Sequence, residues 1–288
     1  MMKKIALLSM DVEEWYDAAY MQSNENIDKK YLMSDGIDNF CSIIKERSIN
    51  ATFFLLLHMA DEHTLQINRI IDDGNEIALH GFDHLCPLEK SLDMFEKEVL
   101  IGKEKIEKTF NIIINGYRAP SYSLDADRLK IIQQLHFSYD SSRIDSTMNK
   151  YYGQIDLRDF NEITKGVYKK DDFYEFEIPS EKFFFKRVNI GGGGFFRIFP
   201  WFISKGLIKR YIKKHNFFVF FIHPFEMSNR QYPKVKGIGP KKFLRSHLGL
   251  GTVQKKVKKL IGLLEKEGFS FMTYSNAIDY LRNGDKNV

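Results

Sequence analysis

Short apolar runs alternate with amphipathic stretches along most of this chain. "KIALLSM", "ATFFLLL", "EIAL", "NIIING", "HFSYD", "FFVFFI" and "FSFMT" have strand length. Their near-continuous hydrophobicity is that of strands covered on both faces. Between them the spacing turns helical. Ile37, Phe40, Cys41 and Ile44 share one face behind Ser34 or Asp35 as the capping residue. Further helices are predicted around 60–73, closed by Gly74, near 91–110, and from Asp125 through Leu129, Ile132 and Leu135. The pattern loosens from 142 to 196, where "FYEFEIP" reads as extended and "GGGG" at 191–194 as a loop. A helix carrying Ile203, Leu207, Ile208, Tyr211 and Ile212 precedes "FFVFFI". A polar stretch at 228–251 follows, then a helix with Val253, Val257, Leu260, Ile261 and Leu264. Buried-type strands alternating with helices predict parallel β/α units. The expected fold is an α/β, single-domain, distorted (β/α) barrel of about seven parallel strands spanning residues 1–288.

Chemistry falls where that fold would gather it. Asp11 and Glu13 follow the first run, His58 the second, and His80 and His84 the third. Arg118 follows "NIIING", Asp140 ends "HFSYD", and His223 follows "FFVFFI". In parallel β/α folds the strand ends of one rim form the active site. A lone histidine is more often a satisfied polar residue than a ligand; strand ends that converge in space make this set stronger than its members. His80 and His84 span one turn with Gly81 to ease the bend. Two imidazoles and a carboxylate are a ligand set that leaves a position for water. Asp11 and Glu13 are two apart, so an extended chain points both to one face and Val12 to the other.

Composition narrows the choice of partner. With 43% hydrophobic residues in 288, one sizeable core is affordable. The net charge of +5 is mild, and no zinc-finger spacing, RNP-like motif or arginine stripe accompanies it, so nucleic acid is not expected. Cys41 reads as core, and with Cys86 the only other cysteine there is no disulfide framework. The first apolar run is too short for a signal-peptide core, and no run is long enough to span a bilayer. A soluble, cytoplasmic protein is the expectation, at the inner face of the membrane if the basic stretch "FISKGLIKRYIKKH" lies against anionic lipid rather than serving as an ordinary barrel helix. "GGGG" lacks the Lys-Ser/Thr of a phosphate loop.

"MDVEEW", "ATFF", "ALHGFDH", "GYRAPSYS", "YDSS" and "FFIHP", in that order, resemble the five-motif signature of polysaccharide deacetylases, the NodB-homology or carbohydrate esterase family 4 fold. The stretch from "YEFEIPSEKFFFKRVNIGGGGFFRIFP" to "FIHPFEM" further resembles a subgroup found with exopolysaccharide and O-antigen gene sets. The resemblance implies one divalent metal ion, usually Zn2+, and hydrolytic removal of an acetyl group from an amino sugar. It implies Asp11 as base, Arg118 as its holder, and His80 and His84 as ligands. Ser121 is implied as an oxyanion-site N–H, His223 as general acid, and Asp140 as the residue orienting His223. The usual first motif pairs two aspartates, and Val12 stands in the second place. Glu13 then becomes the acidic ligand, with Glu14 as the alternative.

The acceptor implied is an amino-sugar glycan or a lipid- or nucleotide-linked precursor. Trp15, Tyr16, Tyr122, Phe195, Phe196 and Trp201 offer sugar-stacking faces, though core packing is the better reading for most. Two other readings compete: another C–N hydrolase acting on a small amide, formyl-sugar or ureide, and a non-catalytic glycan-binding or assembly protein with a decayed metal site. The oligomeric state is not legible.

Overall fold

The structure is a computed structural model describing residues 3–285 apart from 19, 22, 23, 25 and 146–154. Its strands are β1 (Ile5–Val12), β2 (Thr52–Leu56), β3 (Glu76–Gly81), β4 (Gly116–Tyr117), β5 (Tyr139–Asp140), β6 (Asn161–Thr164), β7 (Val167–Lys170), β8 (Phe173–Phe176), β9 (Ser180–Phe183), β10 (Lys186–Asn189), β11 (Phe217–Ile222) and β12 (Ser270–Met272). The main sheet runs β11-β1-β2-β3-β4-β5-β8-β7-β6. Every pairing from β11 to β8 is parallel. One edge of β1 lies along β11. Its other edge is shared, with β12 pairing Ile5 to Leu7 and β2 pairing Ser9 to Val12.

Irregular chain returns the sheet to its start. Ile178 bridges Ile144, the Ile190 N–H donates to the Pro179 carbonyl, and the Phe221 N–H donates to the Gly191 carbonyl. The result is the expected distorted (β/α) barrel. Strand alternation divides its interior. Ile5, Leu7, Phe54, Ala78, Tyr139, Tyr174, Phe176, Phe217, Val219 and Phe221 form one buried cluster with Tyr274. Ala6, Leu8, Met10, Val12, Phe53, Leu55 and Phe220 join a second, larger cluster with the helices. The first cluster is the barrel interior, and β1, β2 and β11 are buried along their full length because both faces are covered.

Several elements differ from the sequence reading. The helix expected at 60–73 is two helices, Leu57–Glu62 and Thr64–Asp72, broken at His63. Of "NIIING" only the final Gly116 pairs in the sheet, together with the next residue, Tyr117. The loose region 142–196 holds the antiparallel strands β6, β7 and β8 and the hairpin β9–β10, which the parallel pattern did not anticipate. In "GGGG", Gly193 opens a helix, Gly193–Ile198. The polar stretch contains the helix Pro240–His247. Helices at Asp35–Lys45, Leu92–Phe110, Ala126–Gln134, Trp201–Ile212 and Val253–Lys266 agree with the periodicity. Among the described residues, no helix is long and apolar enough to cross a membrane.

Candidate metal centre and active site

β1 supplies the acids. Ser9 and Asp11 share the inward parity of Ile5 and Leu7, Val12 turns to the outer core, and Glu13 follows just past the strand end. β3 runs one turn of pleat further than predicted and carries His80 on the same parity as Ala78. Gly81 then takes φ 136°, and a Cβ there would meet Pro120 Cγ at 3.1 Å, so glycine both bends the chain and admits Pro120. The bend delivers His84 beside His80.

Glu13, His80 and His84 are all buried and their ligand atoms lie within 4.8 Å of one another. Glu13 Oε2 is 2.6 Å from His84 Nε2 and 3.6 Å from His80 Nε2. It is a buried carboxylate oxygen without an aligned hydrogen-bond donor. His80 Nδ1 lies 2.8 Å from the Arg118 carbonyl, which only accepts, so the ring's N–H points there. In the neutral ring the Nε2 lone pair therefore faces the Glu13 carboxylate. Two electron-rich atoms turned toward each other in a buried pocket are stabilised by a cation between them. The donor set thus fits a divalent metal, and imidazole with carboxylate is a zinc-type set. Glu14, the alternative ligand, is engaged elsewhere: its Oε2 accepts from the Met33 N–H at 2.8 Å. Burial pushes the Glu14 carboxyl up to about 7. Burial would raise Glu13 as well, but the charges of His84 and His223 outweigh it and hold the group well below the usual carboxylate range.

Asp11 stands on the inner face and is buried. Its Oδ1 accepts from Arg118 Nη1 at 2.6 Å and its Oδ2 from Tyr122 Oη at 3.3 Å. Arg118 is fully buried, and its remaining donors reach the Ser141 carbonyl, Ser9 Oγ, Ser141 Oγ and Tyr274 Oη, the last at 2.6 Å. The Phe54 ring lies under the guanidinium at 3.9 Å. A buried guanidinium with such partners cannot swing away, so the Asp11 carboxylate is fixed in place. Ser121 has a left-handed backbone with φ 56°. The hydrogen bonds of its turn run from Tyr122 N–H to the Ala119 carbonyl and from Ser123 N–H to the Pro120 carbonyl, leaving out the Ser121 N–H.

His223 follows β11 and opens the short helix Pro224–Met227. Its Nε2 is 3.9 Å from Glu13 Oε1, so it lies at the same pocket. Its Nδ1 is 2.8 Å from Glu226 Oε2, and Glu226 is in turn 3.3 Å from Arg197 Nε. Burial opposes protonation of His223, but Glu13 and Glu226 together raise it to about 9. Glu226 therefore occupies the place expected of Asp140. The reason is parity. Tyr139 and Ser141 face inward, so Asp140 points to the opposite face of β5, where it takes Ser142 and sits beside Glu175 of β8. It cannot reach His223 from there. His58 pairs with Asp17, its Nε2 3.2 Å from Asp17 Oδ2.

The structure brings Glu13, His80, His84 and His223 to one pocket and pairs Asp11 with Arg118. Sequence reasoning missed Ser9, Ser141, Tyr274, Glu226 and Arg197. Ser9 and Ser141 had a signal in their parity with Asp11 and Tyr139, and Glu226 in its three-residue spacing from His223. Tyr274 and Arg197 have no local signal. Of the proposed sugar-stacking rings, Trp15, Tyr16, Tyr122 and Phe196 are buried, and Phe195 and Trp201 pack against the outer core.

A parallel barrel with two imidazoles and a carboxylate at its rim, and a clamped aspartate beside them, defines the class. Comparison finds a likeness to a known family over part of the chain. Residues 25–139 match the model for polysaccharide deacetylase, and residues 141–279 match a domain of unknown function, DUF3473. The peptidoglycan deacetylase-like protein FGM2 of Gibberella zeae is 32% identical over 111 residues, covering 35% of this chain and 30% of that protein. The peptidoglycan deacetylase of Helicobacter pylori is 25% identical over 120 residues, covering 42% and 41% respectively. This chain thus spans less than half the length of either relative. Among solved structures, a Mycobacterium smegmatis protein assigned to the polysaccharide deacetylases superposes with a TM-score of 0.61 at 16% identity, covering 98% of this chain and 92% of that one. BA3943, a CE4 family pseudoenzyme from Bacillus anthracis, superposes at 0.53 with 14% identity over 96% of this chain and 66% of that one. At such identities the likeness is one of fold. The matched part, residues 25–139, is thus similar to the polysaccharide deacetylases.

Proposed function

We propose that this chain is a single catalytic unit, a metal-dependent hydrolase that removes an N-acetyl group from an amino sugar of a surface polysaccharide or of its precursor. The observation that carries the reading is the facing of Glu13 and His80 Nε2 across a buried pocket, with Asp11 and His223 beside it. Glu13, His80 and His84 would hold the ion, and zinc suits that donor set. When bound, such an ion supplies Lewis acidity at the scissile carbonyl and a water of lowered pKa.

The chain's own groups account for the remaining steps. Asp11, held in place by Arg118, takes the proton from the attacking water. The Ser121 N–H, free of the turn's own bonds, donates to the developing oxyanion; one such donor is typically worth ~3–4 kcal/mol. His223 gives its Nε2 proton to the departing amine while Glu226 accepts from Nδ1 and fixes the ring. Val12 does not interrupt this set, because alternation turns it into the outer core.

The test is metal analysis of protein purified without chelator, together with acetate release from N-acetylated chitooligosaccharide and from peptidoglycan. Asp11→Asn and His223→Ala are each expected to lose at least about a hundredfold in turnover and to keep the metal. His80→Ala and Glu13→Ala are expected to lose both. Near-normal acetate release by Asp11→Asn would overturn the role given to that base. Metal retained by Glu13→Ala and lost by Glu14→Ala would move the acidic ligand.

A further inference from the structure

The hairpin β9–β10 pairs Phe183 with Lys186, so its turn is the dipeptide Phe184–Phe185. Phe184 has φ 53°, a left-handed conformation. Two-residue hairpin turns of this kind favour Asn, Asp or Gly. Two phenylalanines hold it here, and they are 76% and 98% exposed. The base of the turn is anchored. Phe183 meets Phe184 at 4.7 Å between ring centroids and Phe199 at 5.2 Å, and Phe199 meets Phe195 at 5.6 Å. The tip is therefore a braced projection. On the helix Trp201–Ile212, Phe202 is likewise 74% exposed.

Charge surrounds these rings with one sign. The hairpin carries Lys182, Lys186 and Arg187, and the helix and its end carry Lys205, Lys209, Arg210, Lys213 and Lys214. Glu181 is the only acid from Ser180 to Lys214, and Arg210 pairs with it at 3.1 Å. Arg187 and Lys209 have partners in Asp145 and Glu267. Exposed aromatic rings within a basic collar match the boundary of an anionic bilayer, with the rings at the acyl margin and the ammonium groups among the phosphates. A second copy of the chain would bring an identical positive collar and be repelled.

We propose that Phe184 and Phe185, with the cations around them, form a docking finger for an anionic lipid surface. This goes beyond the deacetylase reading and does not depend on it. The full chain is mixed at low salt with vesicles of phosphatidylglycerol and phosphatidylcholine, and separately with phosphatidylcholine alone. Co-sedimentation is expected with the first and not the second, and should weaken at high salt as the Debye length shortens. Phe184→Ser/Phe185→Ser and Lys182→Glu/Lys186→Glu are each expected to cut partitioning at least about tenfold. Both alter exposed side chains, and circular dichroism confirms that they fold. The emission of Phe185→Trp should shift to the blue on the anionic vesicles. The proposal is overturned if the wild-type chain stays in the supernatant at low salt or if the double phenylalanine variant sediments like wild type. A reversible dimer that the same variant abolishes, without vesicle binding, would make a second copy the occupant and also overturn it.

Discussion

At the scale of single residues, the site turns on which side of a strand each group faces. Asp11 and Glu13 fall on one side and Val12 on the other, which two-residue periodicity made legible in the sequence. The same rule, applied to Asp140, would have separated it from His223, because Tyr139 is plainly a core ring. Motif order placed Asp140 near the acid; parity places it behind the sheet. Glu226 is the carboxylate beside the proposed acid, 2.8 Å from His223 Nδ1 and 3.3 Å from Arg197 Nε. Glu226→Gln is expected to lower kcat by about 10–100-fold, the usual range for a partner that orients a functional imidazole. KM and metal content should hold, and Glu226→Asp should recover part of the loss. Asp140→Asn should leave turnover near wild type. Equal losses in the two variants would return the orienting role to Asp140.

At the scale of elements, what could be read was whatever announced itself by unbroken hydrophobicity or helical period. β1, β2, β3 and β11 did so, and so did the long helices. The runs of β4 and β5 were legible too, but each pairs over only two residues because it begins in the left-handed turn that closes the preceding helix, at Asn111 and His136. The hairpin β9–β10 stayed hidden because its turn lacks Gly, Asn and Asp, the residues by which hairpins are recognised. One contact between elements holds His223 in place from outside. A Cβ on Gly36 would sit 1.8 Å from the Pro224 carbonyl oxygen, so the helix Asp35–Lys45 rests directly on the helix that His223 opens. Asp35 also accepts from Ser228 Oγ at 2.5 Å, at the far end of that short helix. Gly36→Ala must push the two apart. A loss of about 1–3 kcal/mol in stability is expected, with a fall in kcat as His223 shifts. A variant with an unchanged thermal midpoint would show that the packing can relax without cost.

At the scale of the whole molecule, the two family models meet at Asp140, yet the barrel runs across that boundary through β5 and β8. Their junction carries a pair of buried carboxyls, Asp140 and Glu175. Burial raises Asp140 to about 6, and burial together with the Asp140 charge lifts Glu175 well above the usual range. The folded pair therefore holds protons that the unfolded chain releases near pH 4. A group with a raised folded value contributes fully below its unfolded value and loses that contribution as pH climbs through the folded one. Thermal stability should accordingly fall as pH rises above about 4, through the Asp140 value of about 6, on account of this pair. Glu175→Gln should flatten the decline, as measured by melting at matched ionic strength. Parallel slopes for wild type and variant would mean that the pair does not share its protons as described.

The placing of β1 between neighbours from the far end of the chain has a consequence for synthesis. The strand that carries the proposed base leaves the ribosome more than two hundred residues before its partners β11 and β12 and the phenol of Tyr274. Until then the nascent polypeptide carries an apolar ribbon with unmatched amide edges, a liability for aggregation that a chaperone would have to cover. Maturation of the pocket thereby waits on β11 and β12, long after β1 has been made.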